Sequence, residues 1–368
     1  MSPDVNVAAL PSIPRRLDVA RAHHERGGLV AAVLPIHYPR ALLRAFGILP
    51  MEVWGPPNVD AARSASRLQP YVCSIVRNAL AFLESGGLQV ADLVLVPHAC
   101  DSLQGLGSLL LDFVHPALPV LPLYLPRNHG REGEAFMVEE LRALHQWLTD
   151  VTERVLSEAS LLQAILEEEV ADELLRRLHE RRPTLPLTTY DFYRLIRARE
   201  FLPLESFVSL AQEILALPAA ERPPKIPIVL SGIVPEPMDM LRAMDDLGAS
   251  VVADDLACCG RRLYPAGRSR DPFTRLAESL LGGPPDPTRG SPIQDRLDHL
   301  LGLARSTGAR GVVFHDVKFC EPELFDLPAL RRGLRDAGLP SITVEVDLND
   351  PVSQQARTRL EAFLEMIA

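Results

Sequence analysis

Short apolar segments rich in β-branched residues alternate with amphipathic helical segments along most of the chain. Eight of the apolar segments predict β-strands, and they are hydrophobic almost throughout rather than at every second position. Continuous runs of this kind are typical of parallel strands that helices cover on both faces. The predicted strands are residues 29–35, 51–55, 92–97, 120–126, 226–232, 250–255, 311–316 and 341–347.

The segments between these strands have the apolar spacing of helices. Residues 70–87, 236–249 and 328–340 each combine an amphipathic pattern with a Gly near the end, which is a usual helix stop. Strand and helix therefore alternate as in a doubly wound sheet, and they do so in two separate parts of the chain. The predicted fold class is α/β, with two Rossmann-like parallel-sheet units joined by a helical segment.

The helical segment lies in the middle of the chain. From residue 134 onwards the periodicity is helical with hardly any strand signal, until the proline-rich "PAAERPPKIP" at 218–227. We expect an N-terminal unit at 1–133, a helical segment at 134–222 and a C-terminal unit at 223–368. Within the last unit, "GGPPDPTRGSP" (282–292) predicts a surface loop.

The composition is that of an ordinary globular protein, with 47% hydrophobic and 23% charged residues. A net charge of −10 argues against nucleic acid or an anionic membrane as the main partner. The N-terminal sequence lacks the charged start and apolar core of a signal peptide, and no apolar run reaches the roughly 18 residues of a membrane span. We therefore expect a cytoplasmic protein with neither a membrane nor a nucleic-acid partner.

The five cysteines are too few and too scattered for a disulfide framework, so each is a buried apolar residue, a metal ligand or a nucleophile. Cys100 and Cys320 closely follow predicted strands, and Cys258 and Cys259 follow another. Cys73 lies near the start of a helix that leads into a strand, which places it at the same edge of the sheet. Ligands of open α/β sheets bind at this edge, so the common position favours a functional site.

Thiolates from separate loops suit only some groups. Structural zinc usually draws on paired CxxC motifs, and the sequence contains none. Three well-separated cysteines suit a 4Fe–4S cluster that leaves one iron for a non-protein ligand. A single catalytic thiol would need a histidine partner, for which His98 and His315 are candidates, although both fit equally well as loop residues bonded to backbone.

Five motifs carry a resemblance to a known family. They are "YVCSIVRNAL", "LVLVPHACDSLQGL", "LGASVVADDLACCGRR", "VKFCEPELFDLPAL" and "QQARTRLEAFLEMI", in this order. With them the chain resembles the D-component-like iron–sulfur subunits of the 2-hydroxyacyl-CoA dehydratase and benzoyl-CoA reductase family. The resemblance extends from "YPRALLRAFGILPMEVWG" to the final helix, and the helical middle is its least distinctive part.

This resemblance implies a ligand set for one 4Fe–4S cluster. Matched motif by motif, the ligands are Cys73, Cys100 and Cys320, while Cys258 and Cys259 are neighbours of the cluster. A set in which Cys258 replaces Cys73 is an alternative. Other possible neighbours of the cluster or the substrate are His37, His98, Asp101, Ser102, Ser231 and Gly232.

The resemblance also implies a reaction and partners. An ATP-dependent iron–sulfur activator protein would deliver a low-potential electron to this chain and a homologous second subunit, arranged as a hetero- or homodimer. The electron would pass to an acyl-CoA thioester substrate for radical dehydration or reduction. One departure is "PRALL" at 39–43, where relatives often carry a "PEEL"-like stretch, so acidic residues near the expected substrate pocket are lost.

Three other functions compete with this one. They are a cluster-free partner subunit that supports an active homologue, a reductase related to the double-cubane proteins, and a Rossmann-like protein that binds a small anion. The segment "DDLACCGRR" also has two interpretations. Its arginines, Arg261 and Arg262, either bind a CoA phosphate or form an ion-pair cluster with Asp254 and Asp255.

Overall fold

The computed structural model describes residues 10–128, 130–220 and 225–368. The strands are β1 (Leu29–Val33), β2 (Ile48–Glu52), β3 (Leu93–Pro97), β4 (Val120–Leu123), β5 (Ile226–Gly232), β6 (Ala249–Leu256), β7 (Gly311–Val317) and β8 (Ser341–Val346). The α-helices are α1 (Arg16–Glu25), α2 (Arg40–Ala45), α3 (Ser74–Glu84), α4 (Asp101–Leu109), α5 (Arg131–Thr152), α6 (Glu158–Arg181), α7 (Thr189–Ala198), α8 (Leu204–Ala216), α9 (Asp239–Asp246), α10 (Pro272–Leu281), α11 (Ile293–Thr307), α12 (Glu321–Asp336) and α13 (Gln354–Ile367).

The strands form two separate four-stranded sheets, with the orders β2-β1-β3-β4 and β6-β5-β7-β8. Every strand pair is parallel. The α/β class predicted from the hydrophobic pattern is therefore confirmed. In the part of the chain that the structure describes, no helix combines the length and apolarity needed to cross a membrane.

Successive residues of a strand face different hydrophobic layers, as the two-residue period requires. In β1, Val30 and Ala32 belong to a cluster with side chains of α1, α3 and α4. Ala31 and Val33 face α2, α5 and α10 instead. The first cluster also contains residues of the second sheet, such as Val313 of β7, so the two units share one continuous core.

The second strand begins earlier than predicted. The prediction was 51–55, whereas β2 is Ile48–Glu52 and includes Pro50. An edge strand needs ladder hydrogen bonds on one side only, so β2 tolerates a proline that would disrupt a central strand. Glu52 is therefore the last residue of the strand, at the carboxyl edge of the sheet. The other seven predicted strands overlap the observed ones.

The predicted divisions at 133/134 and 222/223 stay predictions, and residues 222 and 223 lie outside the described residues. Helices α5 to α8 do follow the first sheet and precede the second. The units are not independent in packing, however. Phe273, Leu276 and Leu280 of α10 come from the last predicted unit and pack on the first sheet beside α5.

Glu52 forms a buried link between the units and is only 2% exposed. Its carboxylate accepts hydrogen bonds from Arg262 of the C-terminal unit, from Trp54 Nε1 at 2.7 Å and from Arg40 at 3.4 Å. Burial by itself would raise the pKa of Glu52, but the guanidinium groups of Arg262 and Arg40 outweigh burial and hold that pKa below its ordinary value. The carboxylate is therefore ionised at neutral pH.

The backbone of Glu52 is held as well, by Arg16 of α1 and by Glu200 of the helical segment. Arg16 Nη1 donates to the Glu52 carbonyl oxygen at 2.7 Å, and Arg16 Nη2 donates to the Glu200 carboxylate at 3.1 Å. The Glu52 N–H donates to the Glu200 carbonyl oxygen at 3.2 Å. Because Glu200 follows α7, Glu52 joins the first sheet, the helical segment and the second unit at one point.

His37 forms a second buried link. Thr288 Oγ1 donates to Asp286 at 2.6 Å, so it accepts from His37 Nε2 at 2.9 Å. With its proton assigned to Nε2, the ring accepts from Tyr264 OH at Nδ1, at 3.0 Å. Asp286 and Thr288 are buried, so the prediction of a surface loop at 282–292 is wrong at these positions. The loop folds inward because its polar side chains are hydrogen-bonded there.

Glu52→Gln is expected to destabilise the protein by about 3 kcal/mol, because it leaves the buried Arg262 guanidinium without its carboxylate. Denaturant unfolding of the purified protein measures the change. Glu180→Gln is the matched control, since Glu180 pairs with Arg176 on the exposed side of α6 and should cost less than about 1 kcal/mol. The double variant Glu52→Gln with Arg262→Met should recover part of the loss. Equal costs for the Glu52 and Glu180 variants would contradict this role.

Burial lowers the pKa of His37 to about 4. The unfolded chain binds this proton near pH 6.5, so the stability that neutral His37 contributes is lost as the pH falls from about 6.5 towards 4. Between pH 7 and pH 5 the loss from this residue should be about 2 kcal/mol. His37→Gln should flatten the pH dependence of the unfolding free energy in that window. A dependence as steep as that of the wild type would show that His37 is not held neutral.

Candidate functional site

Each of the three predicted thiol ligands is the N-cap residue of a helix. Cys73 precedes α3, Cys100 lies between β3 and α4, and Cys320 lies between β7 and α12. Helices that alternate with parallel strands begin at the carboxyl edge of the sheet, so the predicted positions at that edge are found. Cys73 and Cys320 are buried, and Cys100 is half-buried.

Contacts at the start of α3 hold the Cys73 segment against the second unit. Asn78 and Asn349 exchange two amide hydrogen bonds, each 3.0 Å long. Arg77 pairs with Asp347 at 3.3 Å. Both partners lie just after β8, which is the neighbour of β7 in the second sheet. The carboxyl ends of the two sheets are thereby brought to the same region.

The three thiols lie close enough to affect one another electrostatically. Burial raises the pKa of Cys100 to about 12, and the charge of Cys73 adds to this effect. Burial also raises the pKa of Cys320, and the charges of Cys73, Glu323 and Cys100 raise it further. Cys73 and Cys100 come from the first unit and Cys320 from the second. The fold therefore brings thiols that are distant in sequence into one electrostatic neighbourhood.

Helix termini act against the effect of burial at these thiols. Backbone N–H groups in the first turn of α3 lower the pKa of Cys73, and those in the first turn of α4 do the same for Cys100. The N–H of Glu323 has this effect on Cys320. Each sulfur thus faces the positive end of a helix dipole, an arrangement that stabilises thiolates.

The separation of the thiols bears on what they can bind. Among the residues that the structure describes, no group of three or more His, Cys, Asp or Glu side chains could hold a metal ion. The three thiols are therefore not spaced for a single ion of the zinc type. An iron–sulfur cluster is several atoms across, and thiolates are its usual ligands. Three buried or half-buried soft sulfur donors at three helix N-termini fit such a group.

The predicted neighbours around Cys100 lie in the same loop and helix turn. Asp101 is exposed and Ser102 is half-buried, and they begin α4. His98 packs edge-on against Tyr124, with ring centroids 5.6 Å apart. Its Nε2 is buried and has no hydrogen-bond partner among the described residues. His98 is thus a polar group near the carboxyl end of β3 with unused hydrogen-bonding capacity.

Ser231 and Gly232, also predicted as neighbours, end β5. Ser231 Oγ donates to Asp255 at 2.9 Å and accepts from Arg296 at 3.3 Å, so its hydroxyl group is engaged within the protein. Gly232 has a φ of +152°, and a Cβ there would lie 2.2 Å from the carbonyl oxygen of His315. The close approach of two strands explains the glycine. His315 lies in β7 and not in a loop, and its Nε2 donates to the backbone carbonyl of Glu236 at 2.7 Å.

Cys258 and Cys259 are buried beyond the end of β6, with their Sγ atoms 3.4 Å apart. Burial raises the pKa of Cys258, and the charged groups that act on it are Arg197, Glu200 and Glu236. These groups belong to α7, the residues after it and the loop after β5. The assignment of the pair as cluster neighbours, and the alternative in which Cys258 replaces Cys73, stay predictions.

The arginines of "DDLACCGRR" form buried ion pairs rather than an open phosphate site. Arg261 donates to Asp255 and to Glu323, both at 2.8 Å, and Arg262 bonds Glu52. Arg296 of α11 bonds Glu323, and no motif in the sequence pointed to either residue. The only local signal for Glu323 is its place three residues after Cys320, in the first turn of the following helix.

A cavity of about 400 Å³ lies between α1, α3 and one face of the first sheet. It is lined mainly by apolar side chains, including Met51, Trp54 and Phe82, with Arg16 and Arg197 among its charged residues. Its volume and apolar lining are within the range of small-molecule sites. None of the three predicted thiol ligands lines it, so it is separate from the thiol site.

Comparison with known proteins places these features in a family. Residues 35–367 match the family described as 2-hydroxyglutaryl-CoA dehydratase, D-component. The chain is 24% identical over 359 residues to the (R)-phenyllactyl-CoA dehydratase beta subunit of Clostridium sporogenes, with 94% of each chain covered. It is 26% identical to the lactoyl-CoA dehydratase beta subunit of Anaerotignum propionicum, with 98% of this chain and 97% of the relative covered.

A benzoyl-CoA reductase subunit of Thauera aromatica is a further relative, 23% identical over 92% of this chain and 90% of its own. Dehydratase and reductase subunits are therefore both similar to nearly the whole chain. The expectation of an enzyme subunit of this type, made from five sequence motifs, is confirmed. The chain belongs to the 2-hydroxyglutaryl-CoA dehydratase D-component family.

Proposed function

We propose that this chain is the iron–sulfur subunit of a 2-hydroxyacyl-CoA dehydratase or benzoyl-CoA reductase-type enzyme. Cys73, Cys100 and Cys320 hold one 4Fe–4S cluster, which transfers single electrons when bound. The observation that carries the proposal is the position of these three thiols, which come from two sheets and each precede the first residue of a helix. The electron serves the radical dehydration or reduction of an acyl-CoA thioester.

The residues of this chain set the conditions for that transfer. Burial of Cys73 and Cys320 keeps water from two of the three sulfur atoms, and a dry environment favours a low reduction potential. Cys100 is half-buried, which leaves one side of the site near the surface, where a partner protein exchanges electrons. The three helix N-termini hold the sulfur atoms in place, because each cysteine begins a packed helix.

The proposed partners are those that the family resemblance implies. The relatives are named as subunits, so we propose that this chain works beside a homologous second subunit, in a hetero- or homodimer. An ATP-dependent iron–sulfur activator protein supplies the low-potential electron, and the complex is cytoplasmic.

One observation favours a second candidate, a cluster-free partner subunit that supports an active homologue. Arg40 stands in the stretch where related chains often carry acidic residues. It is buried and contacts Glu52 at 3.4 Å, so it serves the junction between the units and not an acid–base step. Iron analysis separates the two candidates.

Anaerobically purified protein should contain about four irons and four sulfides per chain. Cys73→Ser, Cys100→Ser and Cys320→Ser should each lose most of the iron and the visible absorbance, because each removes one of three thiolate ligands. Colorimetric iron and sulfide analysis and the electron paramagnetic resonance (EPR) spectrum of the reduced protein measure this.

Cys258→Ser and Cys259→Ser are the matched controls and should keep the iron content of the wild type. Circular dichroism should show that all five variants remain folded. A folded, iron-free wild-type protein would refute the cluster and leave the second candidate, the supporting partner. If Cys258→Ser loses the iron and Cys73→Ser keeps it, then Cys258 is a ligand of the cluster in place of Cys73.

A further inference from the structure

The cavity of about 400 Å³ beside the first sheet, called the α1–α3 cavity below, has an apolar interior and a polar mouth. Its inner wall includes the buried side chains of Ala32, Met51 and Trp54, from the first two strands and the residue pair after β2. At its mouth lie the exposed residues Arg21 of α1 and Gln89, which follows α3. An apolar cavity of this size with few polar groups is typical of a small-molecule site.

The helical period of α1 places a cation at the mouth. Leu17 and Arg21 lie one helical turn apart on the same face of α1, and both line the cavity. Leu17 continues the apolar lining outwards, and Arg21 stands beside it. The Arg21 guanidinium has no ion-pair partner among the described residues. The mouth therefore carries a positive charge that the protein itself does not neutralise.

The carboxylates that line the cavity are already matched by arginines. Glu52 is paired with Arg262 and with Arg40. Glu236 accepts two hydrogen bonds from Arg197 Nη1, at 2.8 Å and 2.7 Å. Neither carboxylate needs a cation from a ligand. The charge that remains for a ligand to match is the positive one at the mouth.

A guanidinium group beside a side-chain amide suits a carboxylate. Arg21 offers planar N–H groups that can bind both oxygens of a carboxylate, and the Gln89 amide can donate a further hydrogen bond. The interior selects the rest of the ligand. A polar group placed against Met51 and Trp54 would lose its hydrogen bonds to water without replacement, so the body of the ligand must be apolar.

The walls of the α1–α3 cavity are connected to the start of α3 and to the second unit. The carbonyl oxygen of Pro56, a lining residue, accepts a hydrogen bond from Asn78 Nδ2 at 3.2 Å. Leu348 lines the cavity from the second unit, and its N–H donates to Ser74 Oγ at 3.5 Å. A molecule that fills the cavity therefore contacts both units, so its binding should stabilise the folded arrangement.

We infer that the α1–α3 cavity binds a small monocarboxylate with an apolar body, whose carboxylate pairs with Arg21 and whose body packs against Trp54. The site is distinct from the thiol site, because none of the three proposed thiol ligands lines the cavity. The inference is therefore independent of the proposed function.

The test uses octanoate as the probe and Trp54 as the reporter. The chain has two tryptophans, and Trp147→Phe leaves Trp54 as the single one. Trp147 lies in α5 and packs in the cluster on the other face of the first sheet, away from the cavity. In this background octanoate should change the Trp54 fluorescence in a saturable way and raise the midpoint of thermal unfolding.

The head group is tested with ligands that share the same eight-carbon chain. Octan-1-ol lacks the charge and should bind about tenfold more weakly than octanoate, the factor expected for one charge-assisted hydrogen bond. Octylamine is protonated at neutral pH and should bind more weakly still, because its charge has the same sign as that of Arg21.

Three variants test the position of the ligand. Arg21→Met keeps an apolar stem and should lower the affinity for octanoate about tenfold while leaving that for octan-1-ol unchanged. Arg26→Met is the matched control, since Arg26 is an exposed arginine at the end of α1 that does not line this cavity, and it should bind octanoate like the parent protein. Ala32→Phe fills the interior and should abolish the binding of both ligands. If it does not fold, Val53→Phe replaces it.

Three results would overturn the inference. Equal affinity for octanoate and octan-1-ol would show that the site does not select a carboxylate. Binding that persists in the folded, cavity-filled variant would place the ligand elsewhere. The absence of saturable binding by any of the three ligands would show that the cavity is not a site of this kind. A protein that binds octanoate but contains no iron would refute the proposed function and leave this inference standing.

Discussion

The buried carboxylate of Glu52 is the interaction on which the arrangement of the two units depends. An ionised group inside a protein must be matched by positive charge and hydrogen bonds, or it destabilises the fold. Arg262 supplies that charge from the second unit, and Arg40 supplies it from α2. Because the partners belong to different parts of the chain, the carboxylate is satisfied in only one relative position of the units. We infer that this ion pair contributes more to fixing the relative position of the two units than to the net stability of the fold.

The thiol site depends on that position, because its sulfur atoms come from both sheets. Cys73 and Cys100 begin helices of the first unit, and Cys320 begins a helix of the second. Within each unit, parallel topology brings the helix starts to one edge. Between the units, the contacts of α3 with Asp347 and Asn349 align the edges. A change in the relative position of the units would separate the thiols without disturbing either sheet.

The junction also accommodates "PRALL" at 39–43, the stretch in which the family resemblance implied a loss of acidic residues. An arginine at the first position of a helix is unfavourable for the helix dipole, and Arg40 occupies that position in α2. The nearby Glu52 carboxylate compensates for it, and the Arg40 guanidinium also lies over the Tyr38 ring at 5.3 Å. Arg40 of "PRALL" is therefore accommodated by ion pairing and packing inside the junction.

The sequence alone determined the local features of the protein. Continuous apolar runs identified all the strands of both sheets, although β2 was displaced because Pro50 is tolerated only at an edge, and strand order is a tertiary property. The places of Cys73, Cys100 and Cys320 at strand ends or helix starts also followed from local pattern. The tertiary structure alone decided which polar groups meet. Glu52 with Arg262 and His37 with Thr288 join residues more than two hundred positions apart, and no local period records such pairs. The loop at 282–292 had the composition of a surface turn and is partly buried, because the partners of its side chains lie in the other unit.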